Sequence, residues 1–278
     1  MKARTIFLTC IYSLAICVGG CVTDDFNDLA KGFAPVTPNE AATMASDQHS
    51  PDERREGITL LANSPFGGGP PYVALYRDYV IDDGDPLVRA AAIKALARYS
   101  EVSDAELIVP WLRRAGSQSI QVRREAAIAL QRIHNPAVVG DLLRSLGDEN
   151  EDPTVRSFSA TALGHYPEDR VLVGLISSLD ANELTINLAS AESLHILTGQ
   201  VFGVDRYAWF DWYRKTRDAN KDPFEAMSFF QYPTFRYQIR WYDRFVFWEL
   251  RNEEKPGTPV GLEDPTRRST YDDASITQ

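Results

Sequence analysis

The sequence predicts an all-α fold, an α-solenoid of stacked helix-turn-helix repeats. Five segments fall into one register, and the spacings between their starts are 35, 34, 33 and 31 residues. They begin at Ser50, Asp85, Ser119, Asp152 and Glu183, and each continues with apolar residues at helical spacing. A period of this size is typical of supersecondary units that cannot bury their apolar faces alone and therefore stack.

The starts of these segments have the chemistry of helix N-termini. Ser50, Asp85, Ser119 and Asp152 are predicted N-caps, because a side-chain oxygen there can accept a hydrogen bond from a free backbone N–H. Proline follows three of them, at a position where its missing N–H does no harm. Further helical patterns lie between the segments, at residues 104–115, 136–146 and 168–179. The repeating unit is therefore helix, turn, helix.

With these repeats the chain resembles proteins built of HEAT repeats, of the short type related to the phycobilisome-lyase repeats. The resemblance rests on an Asp-Pro-x-Val-Arg start at residues 85–89 and 152–156, each followed by an alanine-rich helix. It covers about five repeats over residues 50–200. Ankyrin repeats have a similar period, and the Asp-Pro-Leu at residues 85–87 also suits them. The arginine that recurs just after each helix start fits HEAT repeats better.

The resemblance implies roles for two sets of residues. In HEAT-like solenoids the recurrent arginine and the aspartate before it form a ladder between adjacent repeats, which here implies a structural ladder of Arg54, Asp85, Arg89, Arg123, Asp152 and Arg156. The helices that carry them line the concave surface of such solenoids.

One register of these helices, ten residues after Val88, Val122 and Val155, carries Arg98, Arg132 and His165. Lys94, six residues on, and Arg124, two on, complete a candidate concave binding stripe of basic or titratable side chains. In an acidic chain such a stripe would suit an acidic protein partner, an anionic polymer or lipid headgroups. The alternative is a set of solvated helix ends, where cations also interact favourably with the helix dipole.

The first 20 residues predict a signal peptide. Lys2 and Arg4 precede an apolar run, residues 6–18, that is too short to span a bilayer comfortably. The Val-Gly-Gly-Cys at residues 18–21 resembles the lipobox of bacterial lipoproteins, which implies cleavage before Cys21 and lipidation of Cys21. An ordinary secretory signal and an uncleaved anchor are the alternatives. We expect an extracytoplasmic protein anchored to a bacterial membrane, with the outer membrane favoured, and a flexible tether over residues 21–49.

The C-terminal part of the sequence is rich in aromatic residues. Residues 201–252 predict a helical cap for the end of the solenoid, in which Trp241, Phe245 and Trp248 form one helical stripe. A protein-binding patch and a contact with the membrane interface are the other two interpretations of this stripe. Residues 253–278 predict a disordered tail, and the glycine run at residues 67–69 a flexible insertion in the first repeat.

No motif in the sequence carries recognisable catalytic chemistry. HEAT-like deoxyhypusine hydroxylases hold a di-iron centre with His-Glu pairs, and no His-Glu dipeptide occurs here. We expect no metal and no cofactor. Cleavage after residue 20 would remove two cations and no acid, changing the net charge from −10 to −12, so nucleic acid is not an expected partner.

These observations predict a lipid-anchored, non-enzymatic binding or scaffolding module of the bacterial cell envelope. Its expected partner is a protein, bound in the groove of the solenoid; a small-molecule ligand is not expected. The alternative is an accessory enzyme or lyase-like subunit that acts on a bound cofactor or polymer.

Overall fold

The computed structural model describes residues 37–226, 229–230, 258–262 and 268–269. Within them lie eleven α-helices, one 3-10 helix at Pro136–Val138, and two short strands, β1 (Phe229–Phe230) and β2 (Arg268–Ser269), that pair in parallel. The helices are α1 Pro38–Ala45, α2 Pro51–Asn63, α3 Pro70–Asp82, α4 Pro86–Arg98, α5 Asp104–Leu112, α6 Ile120–Ala129, α7 Val139–Gly147, α8 Pro153–Leu163, α9 Asp169–Ser178, α10 Leu184–Thr198 and α11 Arg206–Asp218. The predicted all-α class is confirmed.

The helices form two layers. The inner layer contains α2, α4, α6, α8 and α10, which start at the five recurring segments and pack on one another in chain order. The outer layer contains α3, α5, α7 and α9, and each of these helices packs mainly on the inner helix that follows it. The structural unit is therefore an outer helix, a turn and an inner helix, and the α-solenoid predicted from the period is confirmed.

Small side chains allow the inner helices to approach closely. Ala92 and Ala95 of α4 and Ala126 and Ala129 of α6 are buried, as are the larger apolar residues beside them, such as Leu96. Burying a side chain of that size contributes about 1.5–3 kcal/mol relative to leaving it in water. The alanine-rich pattern that recurs in the sequence is thus the contact surface between repeats.

Three of the four predicted N-caps make the expected hydrogen bonds. The side chain of Asp85 accepts from the N–H groups of Leu87 and Val88, and those of Ser50 and Asp152 accept from residues within the first turn of α2 and α8. Ser119 is the exception, because its side chain makes no capping bond. Its own N–H instead donates to the Ser117 hydroxyl at 3.2 Å.

The folded part begins earlier than the sequence predicted. Residues 38–45, placed in the flexible tether over residues 21–49, form helix α1, which packs on α2 with Ala41 and Ala45 buried. The two helices approach closely because Gly57 of α2 has no side chain: a Cβ there would lie 2.2 Å from the Ala45 nitrogen and 2.7 Å from the Ala41 oxygen. The signal peptide and Cys21 lie outside the described residues.

The glycine run at residues 67–69 is also ordered rather than a flexible insertion. It connects α2 to α3, and a Cβ on Gly68 would lie 2.6 Å from a ring carbon of Tyr99. The Gly67 carbonyl accepts from the Tyr76 hydroxyl at 3.2 Å. The run therefore lets the backbone pass closely over two tyrosines.

The end of the inner layer is marked by Gly199, which closes α10 in the left-handed conformation (φ 69°). Helix α11 then packs on α9 in the outer layer, and β1 lies against α10. Trp209 of α11 is fully buried, and its indole N–H donates to the Gly203 carbonyl at 2.8 Å. Trp241, Phe245 and Trp248, the other part of the predicted cap, lie outside the described residues.

The predicted disordered tail, residues 253–278, contains ordered parts. Residues 258–262 lie against the turn after α6, where Val260 forms a parallel bridge with Ile133, and β2 pairs with β1. These pairings use backbone groups, which carry no sequence signal of the kind that side-chain periodicity gives. None of the described helices has both the length and the apolar character needed to cross a bilayer.

Candidate functional site: the inner-helix face

The recurrent arginines connect the turn before their own helix to the next repeat. Arg54 donates to the Asp47 carbonyl at 3.0 Å and forms a salt bridge with Asp83, which lies after α3, at 2.9 Å. Arg123 donates to the Ser117 carbonyl and to both carboxylate oxygens of Glu151 at 2.8–3.1 Å.

The last ladder arginine follows the same pattern with longer contacts. Arg156 donates to the Leu146 carbonyl at 3.0 Å and lies 3.8 Å from the Glu183 carboxylate. The acidic partners of the ladder are therefore Asp83, Glu151 and Glu183. The prediction that Asp85 and Asp152 are the acidic partners is wrong, because their side chains cap α4 and α8 instead.

One rung of the ladder has no carboxylate. Like Asp83 and Glu151, Ser117 accepts the backbone N–H of the N-cap residue that follows it, although Ser117 and Asp83 lie two residues before that N-cap and Glu151 one. Arg89 bonds the carbonyls of Val80 and Asp83 within its own hairpin. Its guanidinium carbon lies 4.1 Å from the centre of the Trp111 ring, a cation–π contact with α5. The junction between α4 and α6 thus differs from its neighbours.

A second set of ion pairs connects the outer layer. Arg77 of α3 binds Asp104 of α5 at 2.8 Å, and Arg113, just after α5, binds Asp141 of α7 at 2.7 Å. The hydrogen bonds from Arg113, with a smaller contribution from Arg144, lower the pKa of Asp141 despite its partial burial. These pairs hold one outer helix to the next, independently of the ladder.

The predicted concave stripe does not form one open surface. Lys94 is exposed and Arg98 and Arg124 are half-buried, whereas Arg132 and His165 are buried at 2% and 1% exposure. The reason is local: α6 ends at Ala129 and α8 at Leu163, so Arg132 and His165 lie in the turns beyond the helices. Arg98, at the end of α4, donates to the Asn63 side chain at 2.7 Å. A binding role for the stripe remains a prediction.

A different register position stays open along the inner helices. Counted from Val88, Val122 and Val155, the residue six places on is accessible in each repeat, and the same holds in α2 and α10. We call this set the open row; it consists of Thr59, Lys94, Ile128, Thr161 and Glu192. Sequence analysis singled out only Lys94 of these, although the shared offset of six would have identified the rest.

The open row combines charged, apolar and hydroxyl side chains. It carries a cation on α4, apolar and hydroxyl side chains in the middle, and a carboxylate on α10. Exposed Leu87 lies on the same face of α4 as Lys94, seven residues and nearly two turns earlier. Such a surface can pack against a protein and fix its orientation through the opposite charges of Lys94 and Glu192.

The described residues contain no cluster of His, Cys, Asp and Glu side chains that could hold a metal ion. His165 is buried, and Nδ1 of His195 lies 3.0 Å from the Gln200 carbonyl. His165 therefore lies in the turn after α8, and His195 lies in the last helical turn of α10.

The comparisons with known proteins agree with this architecture. No curated protein matches the sequence. The family model described as HEAT repeats matches residues 105–195, which run from α5 into α10. Residues 105–195 are therefore HEAT repeats, and the α-solenoid that contains them is HEAT-like.

Proposed function

We propose that this protein is a scaffold that binds a protein partner across the open row, without catalysing a reaction itself. HEAT repeats are commonly scaffolds for protein–protein interaction. The observation that carries the proposal is the open row: five consecutive inner helices present an accessible residue at one register position.

The charges of the row indicate the kind of partner. An acidic group of the partner would lie over Lys94 on α4, and a basic group over Glu192 on α10, with the apolar contact at Ile128 between them. Charges arranged in this way favour one orientation of the partner over the reverse.

The test is crosslinking in cells, followed by mass spectrometry of the captured proteins. A variant with Lys94→Glu and Ile128→Glu changes the row, and Lys221→Glu is a control because Lys221 is exposed beyond α11. We expect a discrete partner to be captured by the wild type and by the control and lost in the row variant, at equal abundance and melting temperature.

Two outcomes would contradict the proposal. A partner captured equally by all three proteins would mean that binding occurs elsewhere, and Trp241, Phe245 and Trp248 would be the next residues to change. Absence of any discrete partner with the wild type would favour the alternative function, an accessory enzyme or lyase-like subunit that acts on a cofactor or polymer.

We further propose that the scaffold is held at the bacterial cell envelope through lipidated Cys21. The support is the sequence alone: a charged start, a short apolar run and a Val-Gly-Gly-Cys cleavage site. Several acyl chains on one residue anchor a protein durably, whereas a single chain binds only marginally.

Cys21→Ser tests the anchor. We expect the wild type to incorporate labelled fatty acid and to sediment with membranes, and the variant to do neither. A variant that still sediments with membranes in high salt would show that another part of the chain holds it there. Separation of inner and outer membranes then tests the expected outer-membrane location.

A further inference from the structure

Residues 258–262, Thr-Pro-Val-Gly-Leu, lie against the turn that follows α6. The His134 N–H donates to the Val260 carbonyl at 2.7 Å, and the Val260 N–H donates to the Arg132 carbonyl at 2.8 Å. These two bonds pair Val260 in parallel with Ile133, a single bridge of the kind by which an extended peptide adds to another backbone. Pro259 is buried by this contact, while Val260 remains 39% exposed.

Gly261 gives this contact its selectivity. It has φ 85°, and a Cβ on it would lie 2.6 Å from the His134 oxygen and 2.7 Å from a methyl carbon of Val102. A side chain at this position would therefore collide with both neighbours and force the segment away. The contact accepts glycine after valine and excludes larger residues.

The surface that receives the segment is held by its own hydrogen bonds. The Asn135 side chain donates to the Val102 carbonyl at 3.3 Å, and the Asn135 N–H donates to the Tyr166 hydroxyl at 3.1 Å. The Tyr166 ring stacks on His134 with 4.7 Å between ring centres. We call this surface the cradle; it consists of Val102, Arg132, Ile133, His134, Asn135 and Tyr166.

The cradle lies at the junction where two repeat-to-repeat contacts are missing. Tyr99 and Tyr166 occupy one register position, and their hydroxyls contact the carbonyls of Ala62 and Ile133 in the preceding repeats, at 2.9 Å and 3.4 Å. In the repeat between them this position is Ile133, which has no hydroxyl. The same junction lacks the ladder carboxylate opposite Arg89, and Gly261 contacts both of its sides, Val102 and His134.

We propose that the cradle is a docking site for an extended Pro-Val-Gly segment, that residues 258–262 occupy it in cis, and that the same segment supplied in trans replaces them. Two backbone hydrogen bonds and one buried proline hold the segment, a contact small enough to open and close. Covalent linkage raises the effective concentration of the cis segment to the order of mM, so a competing peptide binds measurably once the cis contact is weakened. The inference does not rest on the proposed function, because the cradle is separate from the open row.

The experiment measures hydrogen exchange of the His134 amide in the full-length protein. Gly261→Ala weakens the cis contact, and Gly203→Ala is the matched control, because Gly203 also has positive φ (56°) but nothing within 4 Å of its Cβ position. We expect exchange at His134 to become at least tenfold faster in Gly261→Ala and to remain unchanged in Gly203→Ala. A synthetic GTPVGLE peptide at millimolar concentration should restore protection in Gly261→Ala, and GTPVALE should not.

Unchanged exchange at His134 in Gly261→Ala would overturn the proposal, and so would failure of GTPVGLE to restore protection. Restoration by both peptides would also contradict it, because the site would then not select glycine. Val260→Pro removes the N–H that bonds Arg132 without adding a side chain beside Val102. This second variant provides the same test if Gly261→Ala does not fold.

Discussion

The Arg123–Glu151 pair is the most enclosed contact of the ladder. Both side chains are almost fully buried, at 4% and 3% exposure, and the pair is bidentate. Removing one partner of such a pair leaves an uncompensated charge in the interior, which is more costly than replacing both partners with apolar groups. The pair therefore acts mainly by matching the two repeats at a buried contact, and it adds little net attraction between them.

We predict that Arg123→Ala lowers the free energy of unfolding by about 3–5 kcal/mol. The double variant Arg123→Met/Glu151→Leu should recover most of that loss, since neither charge remains. Arg55→Ala is the control, because Arg55 pairs with Asp52 at the surface and its loss should change stability by less than about 0.5 kcal/mol. Denaturant titration measures the free energy of unfolding of all three variants. An equal loss of stability in Arg123→Ala and Arg55→Ala would contradict the prediction.

Asp141 makes stability depend on pH. Its pKa in the folded protein lies below the ordinary value of 3.8, so its interaction with Arg113 stabilises the fold above that value and is lost as the pH falls through the lowered pKa. Because Arg113 is half exposed, we expect Asp141→Asn to cost only about 0.5–1 kcal/mol at pH 7. The stability curves of the two proteins should converge below about pH 4. Curves that stay parallel down to pH 2 would show that Asp141 is not the titrating group.

At the scale of elements, the contact between α1 and α2 depends on a missing side chain. We predict that Gly57→Ala lowers the free energy of unfolding by about 1–3 kcal/mol, because its Cβ would meet backbone atoms of Ala41 and Ala45 that cannot move aside. Gly140→Ala in α7 is the matched control: nothing lies within 4 Å of its Cβ position, so the variant should gain about 0.5–1 kcal/mol from helix propensity. Thermal unfolding of both proteins checks the opposite signs.

The inner helices could be predicted from the sequence because their chemistry is local. Cap residues, proline and alanine-rich spacing all lie within one segment, as in residues 85–99. Helix α1 could not, since its eight residues make only about two turns, too few to establish a repeating apolar pattern, and its packing depends on Gly57, beyond the turn. The buried positions of Arg132 and His165 escaped prediction because a register count assumes that every inner helix has the length of α4.

At the scale of the whole molecule, the described repeats form a series of similar junctions, one of which lacks its acidic rung. We predict that Ser117→Asp raises the melting temperature by about 1–4 °C, equivalent to about 0.5–1 kcal/mol. A carboxylate there would face Arg89 and could still accept the Ser119 N–H, as Asp83 accepts the N–H of Asp85 at 2.7 Å. Ser117→Asn places a side chain of similar size there without a charge and should not stabilise the protein. Equal effects of the two changes would mean that the negative charge opposite Arg89 does not matter.

The order of helices within each hairpin has a consequence for synthesis. Each outer helix packs mainly on the inner helix that follows it, so α3 has no main packing surface until α4 has been synthesised. The hairpin of α3 and α4 can then form at once. The salt bridge from Arg54 can form at the same stage, because Asp83 lies in the turn between these two helices. We therefore expect the repeats to fold one at a time from the N-terminus. Each folded repeat then presents a packing surface to the next repeat before the rest of the chain has been synthesised.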